Sequence, residues 1–270
     1  MFFFLPLYDD NPIERTPIVT YGLIGLCVLV FLWQLGADAD TVASSYGLIP
    51  AVLFQAKALP PDLAVLPPWA TIFTSMFLHS GWLHIAGNML FLWIFGNNIE
   101  DVLGHGRYLA LYLLSGVAAA MGQALSDPSS TIPMVGASGA VAGVLGAYLL
   151  IYPNANVHVL VLIIVFVRII TVPARIMLGL WFAAQLVSGL IRGHGAGVAF
   201  WAHVAGFVTG IVLLWLLRPG GLDLLQGPRT ARFVAAPPRR FAGRHTFHGS
   251  VPDSGSPWSR RRGPKGGPWD

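Results

Sequence analysis

The sequence predicts an all-α integral membrane protein: a bundle of six transmembrane helices followed by a disordered C-terminal tail. Three observations predict it. Of 270 residues, 55% are apolar and only 10% charged, against about 25% charged in an ordinary soluble domain. Six apolar stretches of 16–21 residues recur along the chain, the length a helix needs to cross about 30 Å of hydrocarbon. Finally, residues 1–217 carry 6 basic and 9 acidic side chains while 218–270 carry 10 basic and 3 acidic. The net charge of +4 therefore belongs to the tail. A high pI of that origin does not argue for nucleic acid, and the body holds no recognition module. Cys27 is the single cysteine, which excludes an intrachain disulfide and a cysteine-rich metal site.

Taken in order, residues 1–17 begin with Phe2, Phe3 and Phe4 but have no positive leader and no cleavage site. An interfacial segment is expected there, and no signal peptide. The spans follow at Ile18–Leu35, Leu83–Leu103, Tyr108–Leu125, Gly136–Ile151, Ala174–Ile191 and Phe200–Leu217. The loop Gly36–Pro68 is long and apolar and is expected in the outer interface. Val157–Val172 is apolar and rich in β-branched residues, but Arg168 interrupts it and Pro173 ends it. It reads as a cytoplasmic-side connection packed against the bundle. The tail, residues 218–270, holds eight Pro and nine Gly, a composition that favours disorder and attraction to anionic lipid. Arg15, Arg107, Arg168, Arg175 and the tail lie on one side of the six spans, so both termini are expected in the cytoplasm. Short loops and the lack of a leader favour a bacterial inner membrane.

A strongly polar side chain within a span needs a reason. Four stand out: His84, Asn88, Ser138 and His203. His84 and Asn88, four apart, share one helix face. With the N-terminus inside, the second, fourth and sixth spans start at the outer face, so all four residues share a depth. The fourth span's 16 residues cover about 24 Å, less than the core is thick, which sinks Ser138 and calls for a watery cavity. His203, Gly206 and Gly210 form one smooth stripe, and Ser138, Gly139, Ala142 and Gly146 another. Two such stripes permit close helix approach, with Ser138 and His203 meeting at the top.

A serine hydroxyl becomes a nucleophile when an imidazole within hydrogen-bond reach takes its proton, and the oxyanion that forms needs donors. Asn88, His84 and the Ser138 N–H at a helix start can donate. No Asp or Glu lies at this depth, so the site reads as a serine–histidine pair. Taken singly the residues are weak signals, because serines in glycine-rich membrane helices mostly serve packing and a lone histidine often makes only an interhelical hydrogen bond. His79 can equally hold loop structure. A metalloprotease helix needs two His four apart with a Glu between; His79 and His84 are five apart without one, so no metal and no cofactor are expected. The alternative is a non-proteolytic membrane protein, an inactive binder or a small transporter. Transporters, however, place their polar groups near the midplane, often with ionisable partners.

The segments GASG (136–139), HSGWLHIAGN (79–88) and AHVAGF (202–207) resemble those of the rhomboid intramembrane serine proteases, over residues 14 to 217. The resemblance implies a rhomboid-like six-helix bundle. It also implies Ser138 as nucleophile, His203 as general base, and His84, Asn88 and the Ser138 N–H as oxyanion contributors. The activity it implies is endoproteolysis of transmembrane segments of membrane proteins within the lipid bilayer. Substrate and oligomeric state stay open. Glu100 and Gly104, in NIEDVLG (98–104), match a structural feature of the family, and VPARIMLGLWFAAQL (172–186) is similar to its fifth-span region. Some members stack a Tyr four residues after the serine on the histidine. Here that position is Ala142, so support for His203 is expected from an aromatic such as Trp201 or Phe207. The Trp-Arg pair common in the family's first loop is also absent from Gly36–Pro68.

Overall fold

The computed structural model describes residues 2–163, 166–192 and 198–226. The chain opens with strand β1 (Phe2–Asp9) and then the long helix α1 (Ile18–Gln34). Short helices α2 (Ala39–Tyr46), α3 (Pro50–Leu53) and α4 (Thr71–Thr74) follow. Next come α5 (Trp82–Phe91), a π-helical turn over Leu92–Gly96, and α6 (Asn97–Leu103), which together make one continuous helical run. After α7 (His105–Ser126) and α8 (Ser138–Ile151) come strands β2 (Asn156–Ile163) and β3 (Phe166–Pro173). The long helices α9 (Ala174–Arg192) and α10 (Phe200–Leu217) end the bundle.

Helix thus occupies each of the six apolar stretches, and the fold is mostly helical as expected. Among the described residues, α7, residues Ala174–Ile191 of α9, and α10 are long and apolar enough to cross a membrane; α1 and α8 are shorter apolar helices. The fourth stretch begins two residues later than expected, at Ser138, and its 14 residues span about 21 Å.

At the centre α8 is buried on nearly all sides, including Val144, Leu145 and Tyr148. Small residues let its neighbour come close. A Cβ at Gly206 would land on the Gly139 carbonyl, and one at Gly210 on the Gly143 carbonyl. The two helices therefore meet backbone to backbone through Gly139 and Gly143, with Gly146 against the Phe207 carbonyl. This close approach along small residues is the feature that sets Ser138 and His203 side by side.

A three-stranded antiparallel sheet, in the order β1-β2-β3, is the addition that the sequence did not announce. In the segment Val157–Val172, expected as a connection, the described residues form two antiparallel strands whose register pairs Val157 with Val172 and Val161 with Arg168. Val157, Val159 and Val161 alternate into the core, as a half-buried strand requires. β1, from the segment expected to be interfacial, pairs with β2, Pro6 opposite Val159, with a bulge between Pro6 and Tyr8. Pro6 is tolerated because β1 lies at the sheet's edge.

The same end of the bundle carries a carboxylate lattice. Glu100, fully buried, accepts from the backbone N–H groups of Val19 and Thr20 (2.8 Å each) and from the Thr20 hydroxyl at 2.7 Å. Its other close partner is His105 Nδ1 at 2.6 Å. The Glu100 carboxyl thus caps the first turn of α1. Asp9 accepts from Tyr148, Asn11 and Asn98 at 2.5, 3.1 and 3.0 Å, pinning β1 to α8 and α6. Burial pushes the Asp9 carboxyl up from its ordinary value, and these three hydrogen bonds oppose the shift.

Two loop expectations need correction. Gly36–Pro68 is partly helical, and Val42, Leu48, Ile49 and Ala51 are buried. Leu48 bridges to Met134 and packs against Ala120 and Ala124 of α7, so much of the loop's apolar content serves the interior. At the other end of the chain, residues 218–226 dock on α8, with Leu225 N–H and Gln226 N–H donating to the carbonyls of Leu150 and Ile151 at 3.0 and 2.7 Å. The rest of the expected disordered tail, residues 227–270, lies outside the described residues.

Candidate active site

α5, α8 and α10 each begin at the end of the bundle opposite Glu100, and each contributes from its first turns. Ser138 is the first residue of α8, so its own N–H and those just after it have no acceptor within the helix. Gly136 makes that start possible. Its φ of +134° lies where glycine is favoured, and a Cβ there would sit 2.8 Å from the His84 ring. The Gly136 N–H donates to the Ser75 carbonyl at 2.8 Å, fixing the approach to the helix.

His203, in the first turn of α10, brings Nε2 to 2.8 Å from Ser138 Oγ. Its other nitrogen, Nδ1, lies 2.7 Å from Oε1 of Gln185 on α9. A carbonyl oxygen only accepts, so Nδ1 carries the proton, and the lone pair of Nε2 faces the hydroxyl. That tautomer is the one able to take a proton from Ser138. His84 stands on α5 with Nδ1 2.9 Å from the Ser80 hydroxyl, and its Cε1–Nε2 edge turns to Gly136. Asn88, one turn further along the same face, is buried, and its Nδ2 has no hydrogen-bond partner among the described residues. A buried donor left open costs about 1–3 kcal/mol, a cost repaid when an acceptor arrives.

Ser138 and His203 are therefore in direct contact and His84 lines the same cleft, whereas Asn88, one turn further along α5, is not among the residues lining it. Ser138, His84 and His203 line a cleft of about 400 Å³ that also takes in Gln123, Met134 and Trp201. Among the described residues no cluster of His, Cys, Asp or Glu could hold a metal ion. His79, beneath His84 with ring centroids 5.3 Å apart, is held by its backbone. Its N–H donates to Gln34 Oε1 at 3.0 Å, and its carbonyl accepts from Gln34 Nε2 at 3.2 Å. Burial, with His84 nearby, lowers the His79 imidazole to about 4.

The expected aromatic support of His203 is corrected by the structure. The ring beside it is Trp181 of α9, centroids 5.8 Å apart and tilted by 40°. Phe207 stands behind that ring, 6.2 Å from Trp181 and stacked on Phe182 at 4.5 Å, while Trp201 packs near Gly189. Gln185 lies in the second half of α9, away from the first turns of the three spans that carry the predicted residues. Its signal was present all the same: it is the one side-chain amide in the apolar run 174–191, and such a group seeks a partner.

A model of the Rhomboid domain matches residues 67–220, more than half of the chain. The chain is 32% identical over 197 residues to the rhomboid protease GluP of Bacillus subtilis, covering 70% of this chain and 36% of that protein. It is 29% identical over 224 residues to the rhomboid protease AarA of Providencia stuartii, covering 74% and 73%. Against the chloroplastic rhomboid-like protein 11 of Arabidopsis thaliana it is 30% identical over 152 residues, covering 56% and 53%. The aligned part spans about a third to a half of the length of GluP and the chloroplastic relative. The Rhomboid model takes in α5 to α10 and with them every residue of the cleft's hydroxyl–imidazole pair, so this chain belongs to the rhomboid family of integral membrane proteins.

Proposed function

We propose that the protein is an intramembrane serine endopeptidase that cleaves transmembrane segments of membrane-protein substrates. The observation that carries this reading is the 2.8 Å contact between His203 Nε2 and Ser138 Oγ, with the Gln185 carbonyl oxygen on the opposite ring nitrogen. As the scissile carbonyl is attacked, His203 takes the hydroxyl proton and the carbonyl oxygen becomes an oxyanion. Asn88 Nδ2, His84 Nε2 and the Ser138 N–H are the donors that receive it. His203 then returns its proton to the departing amine, leaving an acyl ester on Ser138. Water enters through the cleft and gives a proton to His203 as it attacks, and the acid product leaves with the serine restored.

The short α8 supports water access, because a helix of about 21 Å does not span about 30 Å of hydrocarbon. A peptide carbonyl within a helix must leave its hydrogen bond before attack, so weakly helical segments are the expected substrates. We place both termini in the cytoplasm of a bacterial cell, the inner membrane around residues 18–217, and the basic segment 218–270 against anionic lipid.

The test is cleavage of a model transmembrane substrate in proteoliposomes. Ser138→Ala and His203→Ala should each abolish turnover while the protein stays folded in the bilayer. Turnover near the wild-type rate by either variant contradicts the proposal. Excess chelator should leave activity unchanged, and zinc-reversible inhibition would favour metal chemistry instead.

A further inference from the structure

We propose that Gln185 is a positioning residue of this site: its side-chain carbonyl fixes the proton on His203 Nδ1, so that α9 sets whether the base is competent. This rests on the reading of Ser138 and His203 as nucleophile and base. Between its two nitrogens an imidazole has no strong preference for the proton, and in the wrong tautomer His203 would present an N–H to the serine and accept nothing. Histidines that must act as bases are held by an acceptor on the far nitrogen. The acceptor observed is the Gln185 amide oxygen, at 2.7 Å.

An amide suits this location. Its oxygen selects the tautomer without adding a charge to a largely apolar helix, and a carboxyl at the same reach offers the same acceptor. Trp181, one turn earlier on the same helix, covers the ring at 5.8 Å. Both the hydrogen bond and the aromatic wall that hold His203 thus come from α9.

That origin matters because α9 is the most peripheral of the three long apolar helices. Within its span 17% of residues are buried, against 28% in α10 and 39% in α7. Its base is fixed: Ala174 and Leu178 are in the core, and the N–H groups of Ala174 and Arg175 donate to the carbonyls of Ala155 and Pro153 at 2.8 Å. Towards Gln185 the helix presents Leu180, Val187, Leu190 and Ile191 outward. The serine and its base, by contrast, sit on α8 and α10, which are locked together through glycines. The orienting group is therefore on the helix with the least protein around it, and displacement of upper α9 would leave Ser138 and His203 in place but free the proton on the ring.

The experiment compares Gln185→Met, which keeps length and volume but has no acceptor oxygen, with Gln185→Glu, which keeps an acceptor. Both are reconstituted as full chains in liposomes, and two rates are read: phosphonylation of Ser138 by a fluorophosphonate, and kcat and KM for a model transmembrane substrate. Gln185→Met should lower the phosphonylation rate and kcat by about 10- to 100-fold, part of what general-base catalysis supplies, with KM changed less than about twofold on the same premise. Gln185→Glu should recover to within about threefold of wild type. Wild-type rates in Gln185→Met, or losses in Gln185→Glu as large as in Gln185→Met, overturn the inference. If wild type is not phosphonylated in a Ser138-dependent way, the underlying assignment of nucleophile and base fails instead, so the two failures are distinguishable.

Discussion

The two ends of the bundle treat buried polar groups in opposite ways. At one end Glu100 has four hydrogen-bonding partners and Asp9 has three; among the carboxylates' neighbours there, only Asn11 Oδ1 is left open. At the other end Asn88 Nδ2 is buried with no partner among the described residues. Each open group costs about 1–3 kcal/mol. Saturated groups hold helices and strands together, and nothing remains for a ligand. An open donor on the helix that carries His84 is available to an arriving acceptor.

This contrast can be broken by substitution. Ser138→Ala should give the largest effect of all on turnover, a loss of at least about 10³-fold, with the midpoint of thermal unfolding in detergent unchanged. At the saturated end the pattern reverses. Glu100→Ala strands the N–H groups of Val19 and Thr20 and should destabilise the protein by roughly 3 kcal/mol, measured by denaturant unfolding in micelles, while kcat per folded molecule stays near wild type. A comparable loss of kcat would show that the two ends are not separable.

Asn88→Ala should cost about 10²–10³ in kcat if it is a principal oxyanion donor. Stability should hold or rise slightly, because an unpaired donor is removed. The smallest expected effect concerns His79. Its folded value of about 4 lies below the ordinary 6.5, so the fold favours the neutral ring. Stability should then be full above pH 6.5, decline as pH falls from 6.5 to 4, and level off below. His79→Phe should flatten this decline in a melting series across that range; an unchanged slope would assign the acid sensitivity to other groups.

How much of this was legible in the sequence follows from the range of the interactions concerned. Helices were readable because apolar runs and glycine spacing are local. Ser138, His203, His84 and Asn88 were readable because a polar group inside such a run is costly wherever it lands. The sheet was hidden by its own composition: Val157, Val159 and Val161 face the core, but Leu160 on the alternate face is apolar too, so the period-2 signal is weak. Its partner β1 is more than 140 residues distant, with Pro6 inside it. Gln185 required knowing which face α9 presents to α10, information carried by packing and not by spacing.

Activation of Ser138 by His203 across 2.8 Å is the step on which the proposed chemistry turns. Its most direct test is mass spectrometry of the membrane-embedded protein after fluorophosphonate treatment. A phosphonyl adduct should form on Ser138 in wild type and not there in His203→Ala. An adduct on a different serine, or equal labelling of Ser138 without the imidazole, would contradict it.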